Sequence, residues 1–255
     1  MWQAHTRRLA RAIRAALGRD RGGRWKVRSD PVRGRRRALG EESGYWAYWL
    51  AERGGKWADD FSRRFDAAAD VEDPVLREVL ATLGPGASVL DVGAGPASSV
   101  GAQFAGRPLN LVAVDPLADA YDRSLAREGL VPPIRTQRVA GEELTARLGS
   151  DRFDVAYARN ALDHAVDPAV IVEQMVSVVR PGGTVVLRHV QNEGERNGYE
   201  QLHQWNFDVV DGRLVVWRSD RTVDLTEQLR PRAEVTCWLE PTEPVPTVLA
   251  RITRG

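Results

Sequence analysis

Residues Val89 to Ala97 read Val-Leu-Asp-Val-Gly-Ala-Gly-Pro-Ala, and no other run constrains the fold as much. It predicts a buried strand that stops at an acid, Asp91, and turns through Gly93 and Gly95. Glycines let a backbone turn tightly and come close to a ligand. Pro96 suits a first helical position, because that position has no N–H to lose, so a helix is expected over 97–104. The free N–H groups of such a helix would face the turn. A second strand is expected over 109–114 and ends on Asp115, where a carboxylate can take both hydroxyls of a ribose in nucleotide-binding βαβ units. These features together predict an adenosine-containing cofactor at the carboxyl ends of a parallel sheet.

The rest of the chain repeats that alternation. Strands are expected near 88–91, 134–139, 153–157 and 183–189, with helices near 117–128, 141–148 and 168–180, which is the pattern of a doubly wound α/β sheet. A dinucleotide loop needs a third glycine where this chain has Ser98, and a Walker loop needs a Gly-Lys-Ser/Thr that is absent. A nicotinamide oxidoreductase is therefore disfavoured. Asp91 suits a cofactor that carries an ammonium and a sulfonium.

Four segments in order carry a family resemblance: Asp91-Val92-Gly93-Ala94-Gly95, Val114-Asp115, Phe153 to His164, and Val179 to Leu187. Over residues 85–190 the chain resembles the class I S-adenosylmethionine-dependent methyltransferases. The resemblance implies a Rossmann-like, mostly parallel sheet whose last strand is antiparallel, and S-adenosyl-L-methionine as cofactor. It also implies that Asp91, Gly93, Ala94 and Gly95 line the methionine and ribose side. Asp115 and Pro116 would then meet the ribose hydroxyls, and Arg159 and Asn160 would lie beside the cofactor. Many relatives carry an acid after the third strand for the adenine amine. Here that stretch reads Val139-Ala140-Gly141-Glu142, so the adenine amine is expected to meet either Glu142 or backbone groups.

The net charge of +1 hides two opposed regions. Residues 1–40 hold 13 Lys or Arg against two Asp, a balance of +11, and the remainder balances at −10. Three regions are expected: a basic arm with an amphipathic helix over 5–17 (residues 1–40), aromatic-rich helices (41–84), and the core (85–255). The arm reads equally as a helix touching an anionic membrane surface and as a solvated or packed arm. Helices are expected over 41–53, over 58–69 and from Pro74 to Leu83. Tyr45 and Trp49 are expected to wall the cofactor or acceptor pocket as a lid, a role the resemblance implies for N-terminal helices. Beyond residue 190 a helix over 195–204 and a β-hairpin around Asp211-Gly212 are expected, with strands near 234–239 and 246–252. The stretch 190–217 should shape the acceptor pocket. Lone Cys237 excludes an intrachain disulfide and, with no apolar run near membrane length, gives a cytoplasmic setting, peripheral to the inner face of the membrane if the arm binds it.

Methyl transfer to a hydroxyl needs a base, and only four histidines exist. His5 lies in the arm. His164 ends the segment after the fourth strand and is the expected general base, because relatives, sugar O-methyltransferases among them, carry a His used as base there. His189 ends the fifth strand, where ligands meet open sheets, and is expected either as a catalytic partner of the base or acceptor contact or as a satisfied strand-end histidine. His203 shares a polar and aromatic stretch with Asn192, Glu193, Tyr199 and Trp205, the composition of a sugar pocket. The chain as a whole looks like bacterial proteins tied to surface-glycan or secondary-metabolite pathways. The expected acceptor is thus a hydroxyl on a sugar or other polar small molecule. An amine acceptor, a protein or nucleic acid acceptor, and a noncatalytic scaffold are the alternatives. Nucleic acid is disfavoured by the acidic core. No dense carboxylate–histidine cluster in the sequence argues for an obligatory metal, so no metal ligands are assigned, and a divalent ion held by scattered acids stays open.

Overall fold

A computed structural model describes residues 31–84, 86–200 and 202–255, with the backbone alone over 31–37. The helix expected over 5–17, and with it the membrane-facing arm, lies outside the described residues. Residues 35–255 form one compact unit.

The chain enters through helix α1 (Pro31–Ala51), then α2 (Ala58–Arg64) and α3 (Pro74–Leu83). Asp73 caps α3 by accepting from the Leu76 N–H at 2.9 Å, and Pro74 follows at the first helical position. Strand β1 (Ser88–Val92) comes next, followed by a short ribbon, β2 (Gln103–Phe104) and β3 (Arg107–Pro108). The core continues with β4 (Asn110–Asp115), α4 (Ala118–Glu128), β5 (Thr136–Arg138), α5 (Leu144–Leu148), β6 (Phe153–Arg159), α6 (Pro168–Val178) and β7 (Val179–Val190). A single turn, α7 (Glu193–Arg196), leads to β8 (Asn206–Val210), β9 (Arg213–Arg218), β10 (Arg221–Asp224) and α8 (Leu225–Leu229). The chain closes with β11 (Ala233–Glu240) and β12 (Thr247–Arg254).

Seven strands form the main sheet in the order β11-β12-β7-β6-β1-β4-β5. From β7 to β5 the pairs are parallel, while β12 is antiparallel to both neighbours. Val89, Leu90, Asp91 and Val92 of β1 are all buried, as a central strand covered on both faces requires. Leu76 and Leu80 of α3 pack with Val89, Val155 and Val186 on one face. Val172, Met175 and Val176 of α6 pack with Leu90, Ala156 and Leu187 on the other. The chain leaves β1 toward β4 on one side, and β6 lies on the other. A crevice therefore opens at the carboxyl ends of β1, β4 and β6.

Two local expectations fail, and a third gains a strand. No helix forms over 97–104: Ser98 Oγ turns back to donate to Asp91 Oδ2 at 2.7 Å and accepts from the Val100 N–H at 3.1 Å. Gly101 then sits at φ +102°, outside the helical region, and a Cβ there would lie 2.7 Å from the Asp70 carbonyl oxygen. The helix over 195–204 is only one turn, because Gly198 and Tyr199 both adopt positive φ. The expected hairpin is real but carries a third strand, β10, making a separate small sheet in the order β10-β9-β8. Among the described residues, no helix is long and apolar enough to cross a membrane. Cys237 sits half-buried in β11.

Candidate active site

A cavity of about 870 Å³ opens where the crevice meets α1 and α2. Adenosine-sized cofactors and a small acceptor need a space of this order. Asp91, Gly93, Ala94, Gly95, Asp115, Pro116, Glu142, Arg159 and Asn160 all line it, as the sequence predicts.

One end is made largely of backbone. Gly93 and Gly95 follow β1 with φ of +76° and +68°. A Cβ on Gly93 would collide with Ala161 Cβ at 2.3 Å, and one on Gly95 would crowd the Trp46 ring at 3.2 Å, at φ values that side chains rarely adopt. Asp115, at the end of β4, accepts from the Leu117 N–H at 2.8 Å and the Gly95 N–H at 3.2 Å. Burial pushes the Asp115 carboxyl up to about 6, against the pull of those two N–H groups. Burial likewise raises Asp91 to about 6, opposed by the Ser98 hydroxyl and the Arg64 charge. Seven acids line the whole cavity against two arginines, Arg64 and Arg159. That excess, with the glycine cradle, fits a positively charged cofactor bearing ribose hydroxyls.

The lid is aromatic. Trp46 covers Gly95 and donates to Glu42 at 2.8 Å. Its ring meets Tyr45, Trp49 and Tyr121 edge-on at 5.4, 5.4 and 6.3 Å. The Arg64 guanidinium lies 5.7 and 5.6 Å from the Trp46 and Trp49 ring centres, while bonding Asp60 at 2.7 Å and the Ala97 carbonyl at 3.0 Å. Arg64 thus ties α2 to the loop after β1. Tyr45 and Trp49 line the cavity as expected, Trp49 buried and Tyr45 at the exposed rim.

The other end is a side-chain network. His164, Glu193, Leu202 and His203 line it. His203 Nδ1 lies 2.7 Å from Asp163 Oδ2 and 3.2 Å from His164 Nε2, and His164 Nε2 lies 3.4 Å from Asp163 Oδ2. Glu193 Oε1 is 3.9 Å from His203 Nδ1. The backbone fixes this arrangement: the Gln204 N–H donates to the Asp163 carbonyl at 3.1 Å, which pins His203 beside its carboxylate. Burial alone would raise the Asp163 carboxyl, but the His164 charge and the His203 hydrogen bond outweigh it and hold it below the usual range. For His203, burial acts downward and the Asp163 hydrogen bond and charge reverse it, so its pKa is raised. A carboxylate–histidine cluster does form, contrary to expectation, because residues 40 apart in sequence meet.

Four predicted residues stand outside the cavity lining. His189 is 1% exposed and stacks on Phe207 at 4.2 Å; burial drives it down to about 4, so it is neutral and walled off. Asn192 spans Asp208 and the Trp217 indole N–H at 3.1 and 3.2 Å. The Tyr199 hydroxyl accepts from Asn206 at 3.1 Å. Trp205 is fully buried, with Arg218 4.5 Å from its ring centre. Each fixes the wall behind the pocket instead of facing it. Sequence reasoning missed Asp163, Arg64 and Tyr121, while Trp46 belongs to the aromatic run expected to form the lid. The Asp-His pair at 163–164 was a signal for the first of these.

The methyltransferase domain family matches residues 61–229, and the chain belongs to it. An uncharacterized methyltransferase of Mycobacterium sp. (strain JLS) is 35% identical over 136 residues, which cover 53% of this chain and 51% of that protein. The 2-methyl-6-phytyl-1,4-hydroquinone methyltransferase of Synechocystis sp. is 30% identical over 139 residues, covering 54% of this chain and 42% of that one. The chain spans about half the length of the curated relatives it matches. Among solved structures, the 1,6-didemethyltoxoflavin-N1-methyltransferase of Burkholderia thailandensis shares the fold, with a TM-score of 0.53, 18% identity, and coverage of 91% of this chain and 93% of that one.

Proposed function

We propose that this chain is an S-adenosylmethionine-dependent methyltransferase that acts on a hydroxyl of a sugar or another polar small molecule. The observation that carries this reading is the 2.7 Å contact between His203 and buried Asp163 in the wall of the cavity lined by Gly93, Gly95 and Asp115. When bound, the cofactor supplies an electrophilic methyl on a sulfonium whose leaving group is a neutral thioether. Asp115 would hold the ribose hydroxyls, Asp91 the cationic side, and Gly93 and Gly95 would let the backbone approach. Glu142 would serve the adenine end, although its carboxylate also accepts from the Val166 N–H at 3.2 Å.

The proton would be taken by His203. An ionised carboxylate only accepts, so Asp163 Oδ2 takes the Nδ1–H of His203. That fixes the tautomer with its lone pair on Nε2, the arrangement of a base oriented by an acid. His203 Nε2 would take the hydroxyl proton as the oxygen attacks, with His164 beside it to orient the acceptor. Trp46, Trp49 and Tyr45 would exclude water from the displacement.

Calorimetric titration with S-adenosylmethionine, S-adenosylhomocysteine and NAD tests the cofactor. Micromolar binding of the first two and none of NAD is expected; binding of NAD alone overturns the reading. Radiolabelled methyl transfer to a panel of sugars, phenols and amines then tests the acceptor. Turnover confined to amines overturns the hydroxyl assignment and leaves the cofactor standing.

A further inference from the structure

The three converging atoms of the acceptor end, Asp163 Oδ2, His164 Nε2 and His203 Nδ1, are separated by 2.7, 3.2 and 3.4 Å. Ligands about 2.0–2.1 Å from a metal ion lie about 3.0 Å apart along an octahedral edge and about 3.3 Å apart along a tetrahedral one. An ion could therefore sit about 1 Å out of the plane of the three atoms and reach all of them at about 2.1 Å. Asp163 Oδ1 is buried and has no hydrogen-bond partner among the described residues, so the carboxylate keeps acceptor capacity that these residues do not use. Glu193 Oε1, 3.9 Å from His203 Nδ1, stands just outside such a shell. His164 and His203 both line the cavity, which leaves the remaining coordination positions facing it.

We infer that Asp163, His164 and His203 form a binding site for a divalent first-row transition-metal ion, and that zinc held there switches the base off. Two imidazoles and one carboxylate suit zinc, cobalt or nickel, whereas magnesium and calcium favour all-oxygen sites. The switching follows from the tautomer. A metal on His203 Nδ1 needs the lone pair there, so the ring's proton moves to Nε2. Nε2 then carries a proton and cannot accept one from an acceptor hydroxyl. The switch rests on the role of His203 proposed above; the binding site does not.

The test uses the full chain without a polyhistidine tag. Calorimetry with zinc chloride is expected to show one ion bound per chain, with no response to magnesium chloride. Cobalt(II) should give visible absorption bands of a four- or five-coordinate site. His203→Ala and His164→Ala should each weaken zinc binding at least tenfold; both side chains are partly exposed, so these variants are expected to fold, which circular dichroism checks. Zinc binding that is absent, or equal in the variants, overturns the site. In the methyl-transfer assay one equivalent of zinc should lower turnover at least tenfold, and a chelator should restore it. Unchanged or increased turnover with zinc bound overturns the switch. Because the binding titration needs neither cofactor nor acceptor, failure of the site and failure of the proposed function remain distinguishable.

Discussion

The two ends of the cavity are built in opposite ways. At the cofactor end the key groups come from two short stretches, 91–95 and 115–117, and much of the contact surface is backbone: glycines with positive φ and N–H groups aimed at Asp115. At the end proposed for the acceptor the key groups are side chains from 163–164, 193 and 202–203, of which Asp163, His164 and His203 lie within hydrogen-bond distance of one another. Backbone-built sites tolerate little change in the glycines and little retuning. Side-chain networks can be altered one member at a time while the fold stays intact. This contrast matches the chemistry, in which one cofactor is shared by a family and the acceptor differs among its members.

Substitutions at the two ends should therefore fail differently. The largest effect on turnover is expected from His203→Ala, which removes the proposed proton acceptor. Turnover on a hydroxyl acceptor should fall roughly 10²- to 10⁴-fold, the usual worth of a positioned base. Cofactor affinity by calorimetry should hardly move, while the melting temperature should fall by a few degrees, since buried Asp163 loses its 2.7 Å partner. A large loss of cofactor affinity in this variant would erase the division between the ends. Gly93→Ala should do the reverse. Its Cβ would meet Ala161 at 2.3 Å at a φ that alanine disfavours, so a loss of about 2–4 kcal/mol in stability is expected. Cofactor binding should weaken with it. A Gly93→Ala chain that melts and binds like the parent would show that the loop shifts freely.

The same contrast explains what could be read from the sequence. Asp91, Gly93, Gly95 and Asp115 were legible because their spacing along two strands is itself the geometry; strand ends in a parallel sheet place them without help. His164 was legible as the end of the segment after the fourth strand. The Asp163–His203 pair was not, because it depends on a 40-residue loop closure and on one backbone bond from Gln204. Trp205 and Asn192 read as sugar-binding residues, but composition cannot distinguish an aromatic that faces a pocket from one that supports its wall. The helix over 97–104 failed for a local reason, since the Ser98 hydroxyl found a better partner in Asp91 than the helical backbone offered.

The smallest expected effect is a pH dependence confined to the cofactor end. Asp91 and Asp115 both titrate near 6, because burial disfavours their charged forms. Around Asp91 stand Ser98, Arg64, Asp115 and Arg159; around Asp115 stand Glu42, Tyr121 and the Gly95 and Leu117 N–H groups. An unfolded aspartate titrates near 3.9. Folding thus raises both values, and the stability they contribute is full below about pH 4 and is lost as pH rises through 6. The ligand-free chain should accordingly be less stable at pH 8 than at pH 5 on account of these groups, by about 1.4 kcal/mol for each. Cofactor affinity should run the other way. A cationic, hydroxyl-bearing ligand needs the ionised carboxylates, so its affinity should rise from pH 5 to pH 7 and level off above, by up to about tenfold per carboxylate for each pH unit below 6. Asp115→Asn should remove part of that slope and leave the Asp91 part. Calorimetry across this range in both chains would measure it, and a flat profile in the parent chain would mean that neither carboxylate touches the ligand.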